Sequence, residues 1–347
     1  QPLNANTTGT MNIAIGRQAM WANTDGHCNN AVGTFAMNCN TEGDFNQAFG
    51  HSALYCNKTG HYNSAIGYQS LYSANSGEHN NAIGLGTLYS NYGGCYNTAL
   101  GRQALYSNTT GCCNEAMGYR ALYLNTTGCC NVGIGRSALC SNITGCYNVG
   151  VGACTLFCNT SGSYNTAIGV GAVGGGSGYK AVRSTAIGYY ALYNQQYGQN
   201  TGVGYYAQRA NTTGYYNTSI GDHALEDNQT GNNNTAVGWC ALHENEASNN
   251  TAVGMYAALC NTTGTTNAAM GFCALRSNTT ADSNVAIGPW TLFTAKSGGC
   301  NVGIGECALY DNWGGVNNVA IGRCSLRNNT TGSCNVAFGN LALKANT

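Results

Sequence analysis

Charge is scarce in this chain. Lys and Arg together number 13, Asp and Glu 13, and the 347 residues carry no net charge. Charged residues make up 7% of the chain, where an ordinary soluble domain is about one-quarter charged. No basic cluster is present, which removes the electrostatic case for nucleic acid or an anionic membrane surface. No apolar run approaches the ~20 residues of a membrane-spanning helix, and no secretory leader is visible. Proline is nearly missing, with 2 residues against 50 glycines, and this excludes collagen. Neutrality with 43% apolar residues also excludes a disordered chain.

What is abundant is cysteine, with 19 residues. So many thiols favour an oxidising compartment, so an extracellular, cell-surface or virion-surface location is expected. Gln1 is compatible with a processed start.

The string Asn-x-Ala-Ile-Gly recurs from end to end. Its first residue falls at Asn12, Asn29, Asn46, Asn63, Asn80, Asn97, Asn114, Asn131, Asn148 and Asn165, then at Ser184, Asn200, Asn217, Asn234, Asn250, Asn267, Asn284, Asn301, Asn318 and Asn335. The step is 17 residues, stretching to 19 at Asn165–Ser184 and shrinking to 16 in two places. With this residue as position 0, position 4 is Gly in all twenty copies, position 3 is apolar and position 2 is Ala, Gly or Ser. Position 7 is usually Ala and position 8 Leu, as in Ala104 and Leu105. Positions 11 to 14 often read Asn-Thr-Thr-Gly, as at 108–111 and 125–128.

A 17-residue unit cannot bury a core alone and must stack on its neighbours. It is too short for a helical hairpin, and Gly and Asn are poor helix formers. The pattern predicts an all-β fold, a parallel β-solenoid of about twenty coils forming one domain over 1–347, with a loop-like irregularity at 170–183 around Gly174-Gly175-Gly176. Strands are expected at positions 1–5 and 6–10, with Asn-Thr-Thr-Gly as a turn and Gly at position 4 marking a bend or a close backbone approach. The position-0 residues, among them Asn63, Asn97, Asn114, Asn131 and Asn148, are expected to form a ladder of side-chain amides. Alternation places the apolar position 3 inside the coil. The uniformly small positions 2 and 4 then imply close packing against another chain or against the opposite wall of a flattened coil.

The repeat register runs from Leu3 to Thr347 without a divergent capping copy. Two readings follow: end-to-end stacking of copies, or a segment of a longer chain with caps elsewhere.

The units Asn-x-Ala-Ile-Gly-x-x-Ala-Leu, such as 63–71 and 97–105, resemble head repeats of trimeric autotransporter adhesins of the YadA type. They also resemble repeats of phage tail fibres and environmental surface fibres. The resemblance covers essentially the whole chain. It implies a left-handed parallel β-roll, often trimeric, serving adhesion or forming a fibre shaft.

The cysteines fall in columns. Cys95, Cys112, Cys129 and Cys146 share position 15; Cys113 and Cys130 share position 16; Cys39 and Cys56 share position 10; Cys307 and Cys324 share position 6. Stacking brings such pairs to about 5 Å, within disulfide range, so inter-coil disulfides are expected, with buried free thiols as the alternative. His27, Cys28 and His61 lie near one edge without completing a four-ligand metal set, and no metal or cofactor is expected. Asn-x-Ser/Thr sequons start at Asn6, Asn57, Asn108, Asn125, Asn142, Asn159, Asn211, Asn228, Asn261, Asn278 and Asn329. They are candidates for N-glycosylation, although turn chemistry selects the same residues.

No catalytic constellation is visible. The Gly-x-Gly pairs belong to the repeat, and Asp222-His223 and His243-Glu244 read as exposed coil positions. The expected function is therefore non-enzymatic: a structural subunit of an extracellular fibre or filament whose partners are copies of itself, end to end or side by side. One alternative is an adhesin or tail-fibre shaft binding a surface glycan, with Tyr55, Tyr72, Tyr89, Tyr106 and Tyr123 at position 9 as a sugar-binding stripe or an inter-chain seam. Another is ice binding, which needs an unbroken Thr column. Position 12 lacks one, because Ile143, Lys58 and Tyr92 interrupt it.

Overall fold

The computed structural model describes residues 1–175, 180 and 182–346. The chain divides into two compact units, Gln1–Val182 and Arg183–Thr347, and the division falls in the interval where the repeat stretches. Of the irregularity expected at 170–183, residues 176–179 and 181 lie outside the described residues. Each unit is a parallel β-solenoid, with no helix among the described residues. Unit 1 runs from β1 (Ile13–Ile15) to β10 (Thr166–Ile168), and unit 2 from β11 (Thr185–Ile187) to β20 (Val336–Phe338). Within a unit each strand pairs in parallel with the strand of the next coil, position on position, as in Thr98↔Glu115 and Thr218↔Thr235.

Each coil has one strand of three residues, at positions 1–3. The second strand expected at positions 6–10 is a run of turns instead. Those turns rest on left-handed backbone at residues that rarely adopt it: positions 6, 8 and 16 have φ near +55°, as in Gln103 (58°), Leu105 (50°) and Cys113 (57°). Such a conformation costs an L-residue about 1–2 kcal/mol, so the stack must over-determine it. It does so by coil-to-coil hydrogen bonds along the turn: Leu105 N donates to Ala121 O at 3.0 Å and Gln103 N to Leu85 O at 2.9 Å.

The strand faces the other way from the alternation reading. Position 2 points inward and position 3 outward: Ala82 is fully buried while Ile83 is 44% exposed. The interior is narrow, lined by Ala at positions 2 and 7 and Leu at position 8. A Cβ added to Gly133 at position 2 would lie 3.2 Å from Cγ of Leu122 on the facing wall, so only a small residue fits. The small position 2 therefore answers to the opposite wall of a flattened coil.

Position 4 keeps φ between 119° and 142° in all twenty coils. A Cβ on Gly118 would come within 2.5 Å of Gly135 O of the next coil. Glycine is required there both by torsion and by this close approach.

Candidate functional site

The chemistry of this chain lies in columns rather than in a pocket. The predicted amide ladder is present. Backbone N of Asn131 donates to Oδ1 of Asn114 at 3.1 Å, and its Nδ2 donates to Gly145 O at 2.8 Å. Asn63, Asn97, Asn114 and Asn148 repeat the first bond to the preceding coil, and all five are buried.

A second ladder runs at position 11, through the sequons. Nδ2 of Asn125 donates to Oδ1 of Asn108 at 2.9 Å and to Gly128 O at 3.0 Å. Asn57, Asn108, Asn125, Asn142, Asn159, Asn211, Asn228, Asn261, Asn278 and Asn329 are all fully buried. The glycosylation reading is corrected at these ten: a glycan on Nδ2 would replace one of its two N–H donors and have no room inside the coil. Only Asn6, at the edge of unit 1, is exposed among the predicted acceptors.

Among the described residues, alanine interrupts the ladder at Ala74 and Ala295, both fully buried at position 11. In each case the preceding asparagine, Asn57 or Asn278, has an Oδ1 without a hydrogen-bond partner. Ala74→Asn should donate to Asn57 Oδ1 and raise stability by about 1–2 kcal/mol. Thermal unfolding of the variant checks this, and an unchanged or lower midpoint would contradict it.

The cysteine columns align as expected, but all 19 cysteines are free thiols, including Cys39, Cys56, Cys95, Cys112, Cys113, Cys129, Cys130, Cys146, Cys307 and Cys324. In-register side chains on parallel coils project in the same direction about 4.8 Å apart, rather than converging to the ~3.8 Å Cβ separation of a disulfide. The position-15 thiols have another role. Backbone N of Cys95 donates to Sγ of Cys112, that of Cys112 to Cys129 and that of Cys129 to Cys146, each at 3.2 Å. One coil on, Cys146 N donates to Ser163 Oγ at 3.0 Å, and near the start of the chain His27 N donates to Asp44 Oδ1. Position 15 thus selects a side-chain acceptor for the previous coil, and cysteine is one of several that serve. Burial raises the thiol pKa of Cys39, Cys56 and Cys140. These thiols should alkylate more slowly than a free thiol at mildly alkaline pH, and faster once the chain is denatured.

The predicted tyrosines stack along the axis. Tyr55, Tyr72, Tyr89, Tyr106 and Tyr123 lie with ring centroids 5.0–5.4 Å apart. Their faces cover one another, which leaves only edges and hydroxyls for a ligand. A second stack at position 16, unrecognised in the sequence, joins Phe45, Tyr62, His79 and Tyr96 at 4.8–5.0 Å.

Sequence reasoning also missed the outer sheet face. Position 3 presents a column of Ile, Val, Leu, Met and Phe to the exterior in both units, with Ile66, Ile83 and Leu100 each more than two-fifths exposed. Glu115 is the one charged residue in the described strands. The missed signal was the uniformly small residues at positions 2 and 7, which mark the tighter side of the strand. His223, Glu226 and His243, which had no assigned role, come together across two coils.

No protein-family model matches the chain, and no curated protein matches it either. No helix among the described residues is long and apolar enough to cross a membrane.

Proposed function

We propose that this protein is a non-catalytic structural subunit of an extracellular fibre, assembled from copies of itself stacked end to end and packed side by side. The observation that carries this reading is the uncharged apolar column at position 3, repeated on the outer face of every coil. Ten coils of one unit span about 48 Å, and positions 1 to 5 about 13 Å, giving roughly 600 Å² per partner. A second copy on this face would bury about 1,200 Å² in total, the lower bound of a stable specific interface. The same face on a second copy has the same axial spacing, so the aliphatic ridges at position 3 can interdigitate. End-to-end stacking fits the direction of the ladders: the position-0 N–H groups of Asn114, Asn131 and Asn148 each donate toward the preceding coil, a polarity that a further coil stacked on the same axis would continue.

Electron microscopy and sedimentation of the purified chain test this reading. Long filaments are expected for the native sequence. Ile83→Lys with Ile66→Lys should leave thermal stability within about 0.5 kcal/mol, because both side chains are outward, and should abolish lateral association. Monomeric rods for both proteins at high concentration would overturn the proposal.

One observation favours a second reading, ice binding. Thr185, Thr201, Thr218, Thr235 and Thr251 form an unbroken in-register column at position 1 of five successive strands. Thermal hysteresis in solution, lost on Thr218→Lys, would favour that reading over the fibre.

A further inference from the structure

Unit 2 departs from the repeat where three coils meet. At position 9, Arg209, Glu226 and His243 follow one another, and His223 occupies position 6 of the middle coil. Stacking places one ligand atom each from His223, Glu226 and His243 within 4.8 Å of one another. Nε2 of His243 lies 3.3 Å from Oε2 of Glu226, and Nδ1 of His223 touches the same oxygen. A tetrahedral ion with bonds of 2.0–2.1 Å sets its ligand atoms about 3.3 Å apart, so a modest opening of the His223 contact would seat one. Glu226 is buried, with its side chain 8% exposed, whereas the two histidines are 30% and 26% exposed.

The polar atoms turned away from this point are also engaged. Nε2 of His223 lies 3.2 Å from Oδ1 of Asp222, and Nδ1 of His243 lies 3.6 Å from Oδ2 of Asp227. The other oxygen of Glu226, Oε1, accepts from Nη2 of Arg209 at 2.9 Å. Asp222 behind His223 is the arrangement that orients a metal-binding histidine, and Asp227 adds negative charge behind His243. The three carboxylates and one guanidinium leave two negative charges, which a divalent cation neutralises.

We propose that His223 Nδ1, Glu226 Oε2 and His243 Nε2 form a binding site for a borderline divalent transition-metal ion of the zinc class, positioned by Asp222, Arg209 and Asp227. Two imidazoles and one carboxylate suit such an ion better than Mg²⁺ or Ca²⁺, which take oxygen ligands. The fourth ligand comes from solvent on the exposed side of the histidines. Because the ligands come from two successive coils, the ion ties one coil to the next.

The test uses Co²⁺ as the spectroscopic probe on the full chain, comparing the native sequence with His243→Gln, whose side chain is partly exposed. Circular dichroism and the metal-free unfolding midpoint establish that the variant folds. The expected difference is one equivalent of Co²⁺ per chain showing ligand-field bands of nitrogen and oxygen ligands without a thiolate charge-transfer band. Asp222→Asn should weaken Co²⁺ binding by about 10- to 100-fold while retaining the same spectrum. Equal stoichiometry and affinity in the native chain and His243→Gln would overturn the proposal. A difference spectrum dominated by thiolate charge transfer would also do so, because it would place the ion on cysteine.

Discussion

Gly118→Ala is expected to destabilise the first unit by about 3 kcal/mol or more. Two costs combine. The φ of 135° at this residue is closed to an L side chain, which costs about 1–3 kcal/mol by itself. The added Cβ would also sit 2.5 Å from Gly135 O and 2.7 Å from Gly135 C. Those atoms are backbone held by the next coil, so relief requires separating two coils. In a stack where each coil contacts only its neighbours, such a fault interrupts the cooperative unit in its middle. The comparison is Gly86→Ala. Gly86 has φ 61°, and the nearest atoms to an added Cβ belong to the Tyr106 side chain at 3.5 Å and beyond. Equivalent coils carry Gln103 and Arg120 there at φ 58° and 54°, so a loss near 1 kcal/mol is expected. Thermal and denaturant unfolding of both variants decide the matter. Equal losses would show that the close approach at position 4 does not limit stability.

Asn131→Asp should cost about 3–5 kcal/mol at neutral pH, the usual price of an uncompensated buried charge. The native Nδ2 donates to Gly145 O at 2.8 Å and to Asn114 Oδ1 at 3.2 Å. An aspartate of the same shape places an oxygen against both acceptors and adds charge at a fully buried site. The fold would therefore push this carboxyl's pKa above its unfolded value. With a raised folded pKa, the unfolded state ionises first as pH rises, and the penalty grows above the unfolded value near 4. The deficit against the native chain should shrink as pH falls toward that value. Asn131→Ala loses the hydrogen bonds without the charge, so its smaller deficit should not vary with pH. A pH-independent deficit in the aspartate variant would mean that position 0 is open to solvent, contrary to the ladder.

Much of the architecture was readable because a short repeat leaves few solutions. Seventeen residues with an Asn and a Gly at fixed places cannot close a core alone, and the period, the parallel stacking and the ladder at Asn63 through Asn148 follow. The sequons show where reading stops. Asn-Thr-Thr suits an exposed glycosylated corner and equally suits an internal amide ladder. What separates them is whether the asparagine faces in, as the bonds between Asn108 and Asn125 show it does. The cysteine columns were correctly aligned, but proximity is not convergence, and Sγ of Cys112 meets a backbone N–H instead.

By itself the sequence determined the coil length, the stacking register, the buried amides at position 0 and the glycine at position 4. Each is a one-dimensional property repeated along the chain, so it survives any uncertainty about side-chain direction. Only the tertiary structure decided which strand face lies inside, because alternation admits two answers related by a one-residue shift. Leu122 on the opposite wall would lie 3.2 Å from a Cβ added at Gly133, so position 2 takes only small residues, and this sends the aliphatic column outward. It alone brought His223, Glu226 and His243 together, because they lie in two successive coils and become neighbours only when those coils stack.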